Sequence, residues 1–158
     1  MDPLESPGYV LWQLTHAMQQ RMTAALAAMN LNLPQLGTLV HLARGTAVST
    51  ADLARLVLMT PQNMSLTVAK LEAQRYIARR PHETHRRINR LELTKTGHAA
   101  LRRAIVRVSK VENQMLRDLT PSDRQQLVRI LRGGLDNLNA PDKPRRKTPT
   151  PRERGAVS

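Results

Sequence analysis

Between Thr60 and Arg90 the chain gathers side chains suited to non-covalent recognition. Gln62, Asn63, Ser65 and Thr67 offer amides and hydroxyls that both donate and accept hydrogen bonds, Leu66 stands among them, and Lys70 adds a charge. Arginines then crowd residues 75 to 90, and guanidinium groups bond anionic oxygens with two N–H groups at once. Covalent chemistry has no comparable foothold. There is no Ser-His-Asp order, no paired carboxylates in an apolar setting, no Gly-rich phosphate loop and no metalloprotease motif. His82 and His85 stand three apart, but the chain has no cysteine, and a loop pair of histidines alone is a weak metal signal. Neither enzymatic activity nor a cofactor is expected.

The elements that must position these residues are helical. Leu11, Leu14, Met18, Met22, Ala25 and Met29 recur at helical spacing over residues 9–29. Pro34 opens a second helix carrying Leu36, Leu39, Val40 and Ala43, and Gly45 ends it. Ser49 three residues before Asp52 makes a carboxylate form of the capping box ahead of a third. Thr60 and Pro61 are an N-cap and first-turn pair, and Met64, Val68 and Leu71 form the apolar stripe of a fourth helix. Its other face holds Gln62, Asn63, Ser65, Leu66, Thr67 and Lys70. After Arg75, "YIARRP" and "RINRLELT" read as two short strands joined by a basic loop. A long helix is expected over 95–119 and a sixth from the Thr120-Pro121 start signal to about residue 139, weakened near its end by Gly133 and Gly134. Residues beyond Ala140, with four prolines and no core-forming side chains, read as a disordered basic tail.

Composition narrows the partners. The 158 residues carry 25 Lys and Arg against 12 acidic side chains, a formal charge of +13, which attracts polyanions. The excess is uneven: residues 1–58 hold three basic and three acidic side chains, whereas residues 59–97 hold eight and three. Phe is absent and aromatics make up 2% of the chain, so the core is aliphatic, and the same scarcity argues against a stacking platform for single strands. The absence of cysteine fits a reducing cytoplasm, and no apolar run approaches the roughly 18 residues of a membrane span. The expectation is a cytoplasmic chain, nucleoid-associated when bound to DNA, with no membrane partner.

A short helix closely following another, with a polar outer face from its first turn, is what a helix-turn-helix lays in a DNA major groove. Gln62, Asn63, Ser65 and Thr67 then reach base edges or phosphates, Asn and Gln being suited to adenine, and Lys70 serves the backbone. The hairpin reads as a wing whose Arg86, Arg87 and Arg90 enter the adjoining minor groove.

In this order, "DLARLV", "VAKLEAQRYIARRP" and "RRINRLELTKTG", flanked by long helices, resemble the MarR family of winged-helix transcriptional regulators from about residue 9 to 139. The spacings "LE..RYI.R" and "L.LT..G" carry the resemblance. It implies a mainly α (α+β) fold and a homodimer held by the first, fifth and sixth helices. By position it places a recognition helix on residues 61–73, preceded by Thr60 and opening at Pro61, and a wing on residues 79–94 with Arg79, His85, Arg86, Arg87 and Arg90 toward DNA. The corresponding regions are a dimerisation helix at 1–32, a DNA-binding lobe at 33–95, dimerisation helices at 96–139 and a tail at 140–158.

Two positions depart from the pattern. The family wing commonly has Asp-x-Arg, where this chain has His85, Arg86 and Arg87, so either Glu83 substitutes or the wing is looser. Arg75 stands where a glycine is common, at a cost of roughly 1 kcal/mol if its backbone turns left-handed. His16 and His41 fall on helices that border a cleft in this family. With Met59 they are candidates for binding a small molecule of the aromatic acid type, the plainer reading being satisfied histidines and a core methionine. The expected function is a sequence-specific double-stranded DNA-binding regulator, a repressor acting as a homodimer on a pseudopalindrome. The rivals are a non-specific chromatin-like DNA protein and a protein-interaction module using the basic tail.

Overall fold

The computed structural model describes residues 2–46, 49–81 and 89–140, and has the expected α+β character. Its elements run α1 (Pro7–Ala27), α2 (Leu33–Ala43), α3 (Thr50–Leu56), α4 (Pro61–Ala73), β1 (Ile77–Pro81), β2 (Asn89–Leu93), α5 (Lys95–Met115) and α6 (Pro121–Asn139). A short 3-10 turn, Pro3–Glu5, precedes α1. The expected tip of the wing, with His85, Arg86 and Arg87, and the basic tail beyond Ala140 lie outside the described residues.

Each α-helix starts where a short polar side chain takes up a free N–H of its first turn. Ser6, Asn32, Ser49, Thr60, Thr94 and Thr120 fill that position for α1 to α6 in turn. Asn32 does so in a full capping box with Gln35, both bonds 2.9 Å, which the Pro34 signal had not disclosed. At Ser49 the box differs from expectation: the Asp52 carboxylate accepts the Ser49 hydroxyl at 2.7 Å.

Helix ends obey a second rule. Asn30, Leu58 and Arg75 have φ of 53°, 57° and 59°, and Gly45 has 65°. In each case the next residue's N–H returns to a carbonyl in the last turn: Leu31 to Leu26, Thr46 to His41, Met59 to Ala54 and Tyr76 to Leu71. This is the Schellman closure, and it needs a left-handed residue. At three of the four ends that residue is not glycine. Its immediate successor there, Leu31, Met59 or Tyr76, packs in or against the core, so burial of that side chain holds the strained residue in place.

Helices α1 to α5 and the hairpin form one compact unit, Met1–Arg117. Its core joins Leu26, Leu31, Leu36, Leu39, Leu42, Leu53, Met64, Val68, Leu71, Ile77, Leu91 and Leu101. The second unit, Asp118–Ser158, contains α6, which buries no residue and exposes Val128, Ile130, Leu131, Leu135 and Leu138. Gly133 and Gly134 do not interrupt it.

Candidate nucleic-acid interface

Helix α4 is seated by its inner stripe. Met64, Val68 and Leu71 are fully buried, and the buried Thr38 of α2 donates its hydroxyl to the Pro34 carbonyl at 2.9 Å, with the Met64 sulfur 3.6 Å from the same oxygen. Thr60 accepts the Asn63 N–H at 3.2 Å, and Pro61 fits the first turn because its missing N–H would have been unpaired there. The opposite face, Gln62, Asn63, Ser65, Leu66 and Lys70, is exposed. Ser65 is the partial exception in availability, since its hydroxyl already donates to the Pro61 carbonyl at 2.9 Å.

Thr67 corrects the expected outer face. It is buried, and its hydroxyl donates to the Asn63 carbonyl at 3.0 Å. Next to Leu71 on the helical wheel, it widens the inner stripe on the side away from Val68.

The hairpin is joined to α4 by side chains from the two most specific spacings in the sequence. In "LE..RYI.R", Glu72 takes both Nε and Nη2 of Arg79, at 2.8 and 3.3 Å. In "L.LT..G", Thr94 caps α5 by accepting the Gly97 N–H at 2.9 Å, and its hydroxyl faces the Arg75 carbonyl at 2.6 Å. The Thr94 N–H meets the Tyr76 carbonyl at 3.0 Å. Gly97 is required at this crossing, because a Cβ there would stand 2.8 Å from the Tyr76 carbonyl carbon and closer still to its oxygen.

The strand register separates the arginines of β1. The antiparallel register pairs Arg79 with Leu91 and Arg80 with Arg90. Directly opposed residues share a face of the hairpin, and Leu91 is buried, so Arg79 shares its face and reaches Glu72. Arg79, expected among the wing contacts, is exposed as well but already paired with the Glu72 carboxylate. Arg80, absent from the expected wing contacts, shares the other face with Arg90, and both are exposed. The alternation starting from Ile77 carried that information. Among the described residues, Arg90 makes a long contact with Glu92, 3.7 Å.

The three candidate effector residues have separate settings. His16 is exposed, stacked on Trp12 with ring centroids 6.2 Å apart and 2.9 Å from the Gln20 amide. His41 bonds the Thr46 hydroxyl at 2.9 Å, and Met59 packs against the core. Three open clefts of about 560 to 640 Å³ among the described residues are lined by others, the most basic by Arg102, Arg103, Arg107 and Lys110 with Ala25, Val106 and Val111. No group of three or more metal-ligating side chains occurs among the described residues.

An outward-facing capped helix, second in a helix-turn-helix and clamped to a following β-hairpin, defines a winged helix-turn-helix protein. A model of the MarR family matches residues 29–88, and the HTH-type transcriptional repressor Rv2887 of Mycobacterium tuberculosis is 31% identical over 124 residues, 78% of this chain and 89% of that protein. The chain belongs to the MarR family, a family of regulators and not of enzymes. The transcriptional activatory protein BadR of Rhodopseudomonas palustris is 27% identical over 136 residues, 84% of this chain and 78% of that one. Crystal structures of Rv2887 in complex with DNA and with p-aminosalicylic acid each cover 85% of this chain at 28% identity, and 98% and 99% of theirs, with TM-scores of 0.68 and 0.67. The MepR–DNA complex of S. aureus, at 18% identity and a TM-score of 0.74 over 87% of this chain and 99% of its own, is alike in fold.

Proposed function

We propose that the protein is a homodimeric repressor that binds a pseudopalindromic operator in double-stranded DNA and is released by a small aromatic acid. The observation that carries this reading is the exposed face of α4, where Gln62, Asn63 and Lys70 make no hydrogen bond or ion pair through their side chains within the described residues. Amides on a rigid capped helix suit adenine edges, and Arg80 and Arg90 on the wing suit phosphates. In this reading residues 33–95 form the DNA-binding lobe, with Arg86 and Arg87 at the wing tip, and residues 140–158 add a basic tail.

Dimerisation is supported by apolar side chains that stand exposed among the described residues: Val10, Leu11, Trp12 and Leu14 on α1, and those of α6. Residues 1–32 and 96–139 would supply that interface. The sign of regulation is taken from Rv2887, which is named a repressor, over the more distant BadR. The aromatic acid is taken from the p-aminosalicylic acid complex of Rv2887, with His16, His41 and Met59 as the residues to test. No helix among the described residues is long and apolar enough to cross a membrane, and a cytoplasmic location fits a protein acting on DNA.

Selection of bound fragments from random duplex DNA, followed by footprinting and light scattering, tests the whole reading. A protected palindrome with half-sites roughly 34–36 Å apart and a dimer mass are expected. Uniform coverage favours the chromatin-like rival, and a monomer that ignores duplexes at physiological salt overturns the proposal. Arg87→Ala is expected to weaken binding to specific and scrambled DNA alike, whereas Asn63→Ala relaxes preference at one base step.

A further inference from the structure

The outward face of α4 contains one large side chain that hydrogen bonding does not explain. Leu66 is 61% exposed, while the buried stripe of Met64, Thr67, Val68 and Leu71 is complete without it. It lies four residues after Gln62, three after Asn63 and four before Lys70, so it shares their face. An isobutyl group can neither bond a phosphate nor recognise a donor or acceptor. In the major groove the one apolar mark on a base pair is the thymine C5-methyl group. Resting on the DNA-binding reading above, we propose that Leu66 is a specificity-determining residue that selects thymine by contact with this methyl group.

The placement fixes where the thymine should lie. Asn63 and Leu66 are separated by about 4.5 Å along the helix, against roughly 3.4 Å between base pairs, so the two side chains address neighbouring steps. The consensus should therefore hold an A·T pair within about two steps of the adenine read by Asn63. Because Leu66 supports no core contact, its replacement should change preference and leave folding intact.

The test uses the full chain and the duplex it selects from random DNA. Each thymine is replaced singly by deoxyuridine, which removes the methyl group and leaves every hydrogen-bonding atom. One symmetry-related thymine per half-site should weaken binding about fourfold when demethylated, and both together about fifteenfold, the transfer value of one methyl group at each. Leu66→Ala should bind the thymine and uracil duplexes equally, and Leu66→Met should retain the discrimination. If a consensus emerges but deoxyuridine is tolerated at every position, or if Leu66→Ala still discriminates, this role for Leu66 is wrong and the DNA-binding reading stands. If the wild-type chain selects no duplex, both fall.

Discussion

Substituting Gly97 by alanine puts a methyl group where the Tyr76 carbonyl stands. The new carbon would lie 2.8 Å from the carbonyl carbon and 3.2 Å from the Tyr76 Cα. Carbon atoms rest at about 3.5–4.0 Å, so α5 and the start of β1 must part by the order of 1 Å. The same carbonyl holds the Thr94 N–H, and the Thr94 hydroxyl caps α5 through the N–H of Gly97 itself. Overpacking costs about 1–3 kcal/mol and loss of the cap about 1 kcal/mol, while alanine regains about 1 kcal/mol of helix propensity. A net loss of about 2 kcal/mol is expected. Urea unfolding measures it as a lower midpoint at unchanged slope. Gly133→Ala is the control, since nothing lies within 4 Å of that position and propensity alone should raise stability by about 1 kcal/mol. If Gly97→Ala behaves like the control, the close crossing of α5 over Tyr76 does not govern this motif.

Leu58→Gly should stabilise the chain by about 0.5–1 kcal/mol in the same assay, because Leu58 is 92% exposed at φ 57° and glycine removes strain without removing burial. Arg79→Ala should leave the salt dependence of DNA binding unchanged, whereas Arg80→Ala should reduce the slope of log K against log salt by about one unit per protomer. A double-mutant cycle on Glu72 and Arg79, whose side chains are 29% and 47% exposed, should give no more than about 1 kcal/mol of coupling. The Thr120 hydroxyl, and then its N–H, hold the Asp123 carboxyl below its ordinary value at the start of α6. Such a lowered group stabilises fully above the ordinary aspartate range, and its contribution is lost as pH falls through the lowered value. NMR titration should place Asp123 below an ordinary aspartate, and Thr120→Ala, which removes the hydroxyl and keeps the N–H, should raise it part of the way back; an unshifted titration in the wild type would show that the cap does not form in solution.

Most helix starts were legible in the amino-acid sequence because a cap acts within four residues of chain: Ser49, Thr60 and Thr120 each announce a helix and each caps one. The same holds for the inner stripe of α4 and the hairpin, whose periods of 3.6 and 2 are local properties. The left-handed exits were only partly legible. Gly45 and Arg75 could be read, the latter through the family pattern; Asn30, of a type that favours left-handed backbone, was not read, and Leu58 could not be, since leucine does not mark such a turn. Their backbones are held in strain by the next side chain along, and the burial of Leu31 and Met59 is a property of the assembled core.

The arginines show the division most clearly. The sequence alone determined that a basic hairpin follows a capped polar helix, because charge and period are written residue by residue. Whether a given arginine faces outward is a question of register between two strands and of the side chains that lie across from them. The pairing of Arg79 with Leu91 sets it on the buried face beside Glu72, while Arg80 stands with Arg90 on the other face. Thr67 turns inward for a related reason, since only α2 and the core beneath α4 decide how wide its buried stripe must be. Local chemistry chose the elements, and packing between elements distant in the chain chose which of their side chains remain for a partner.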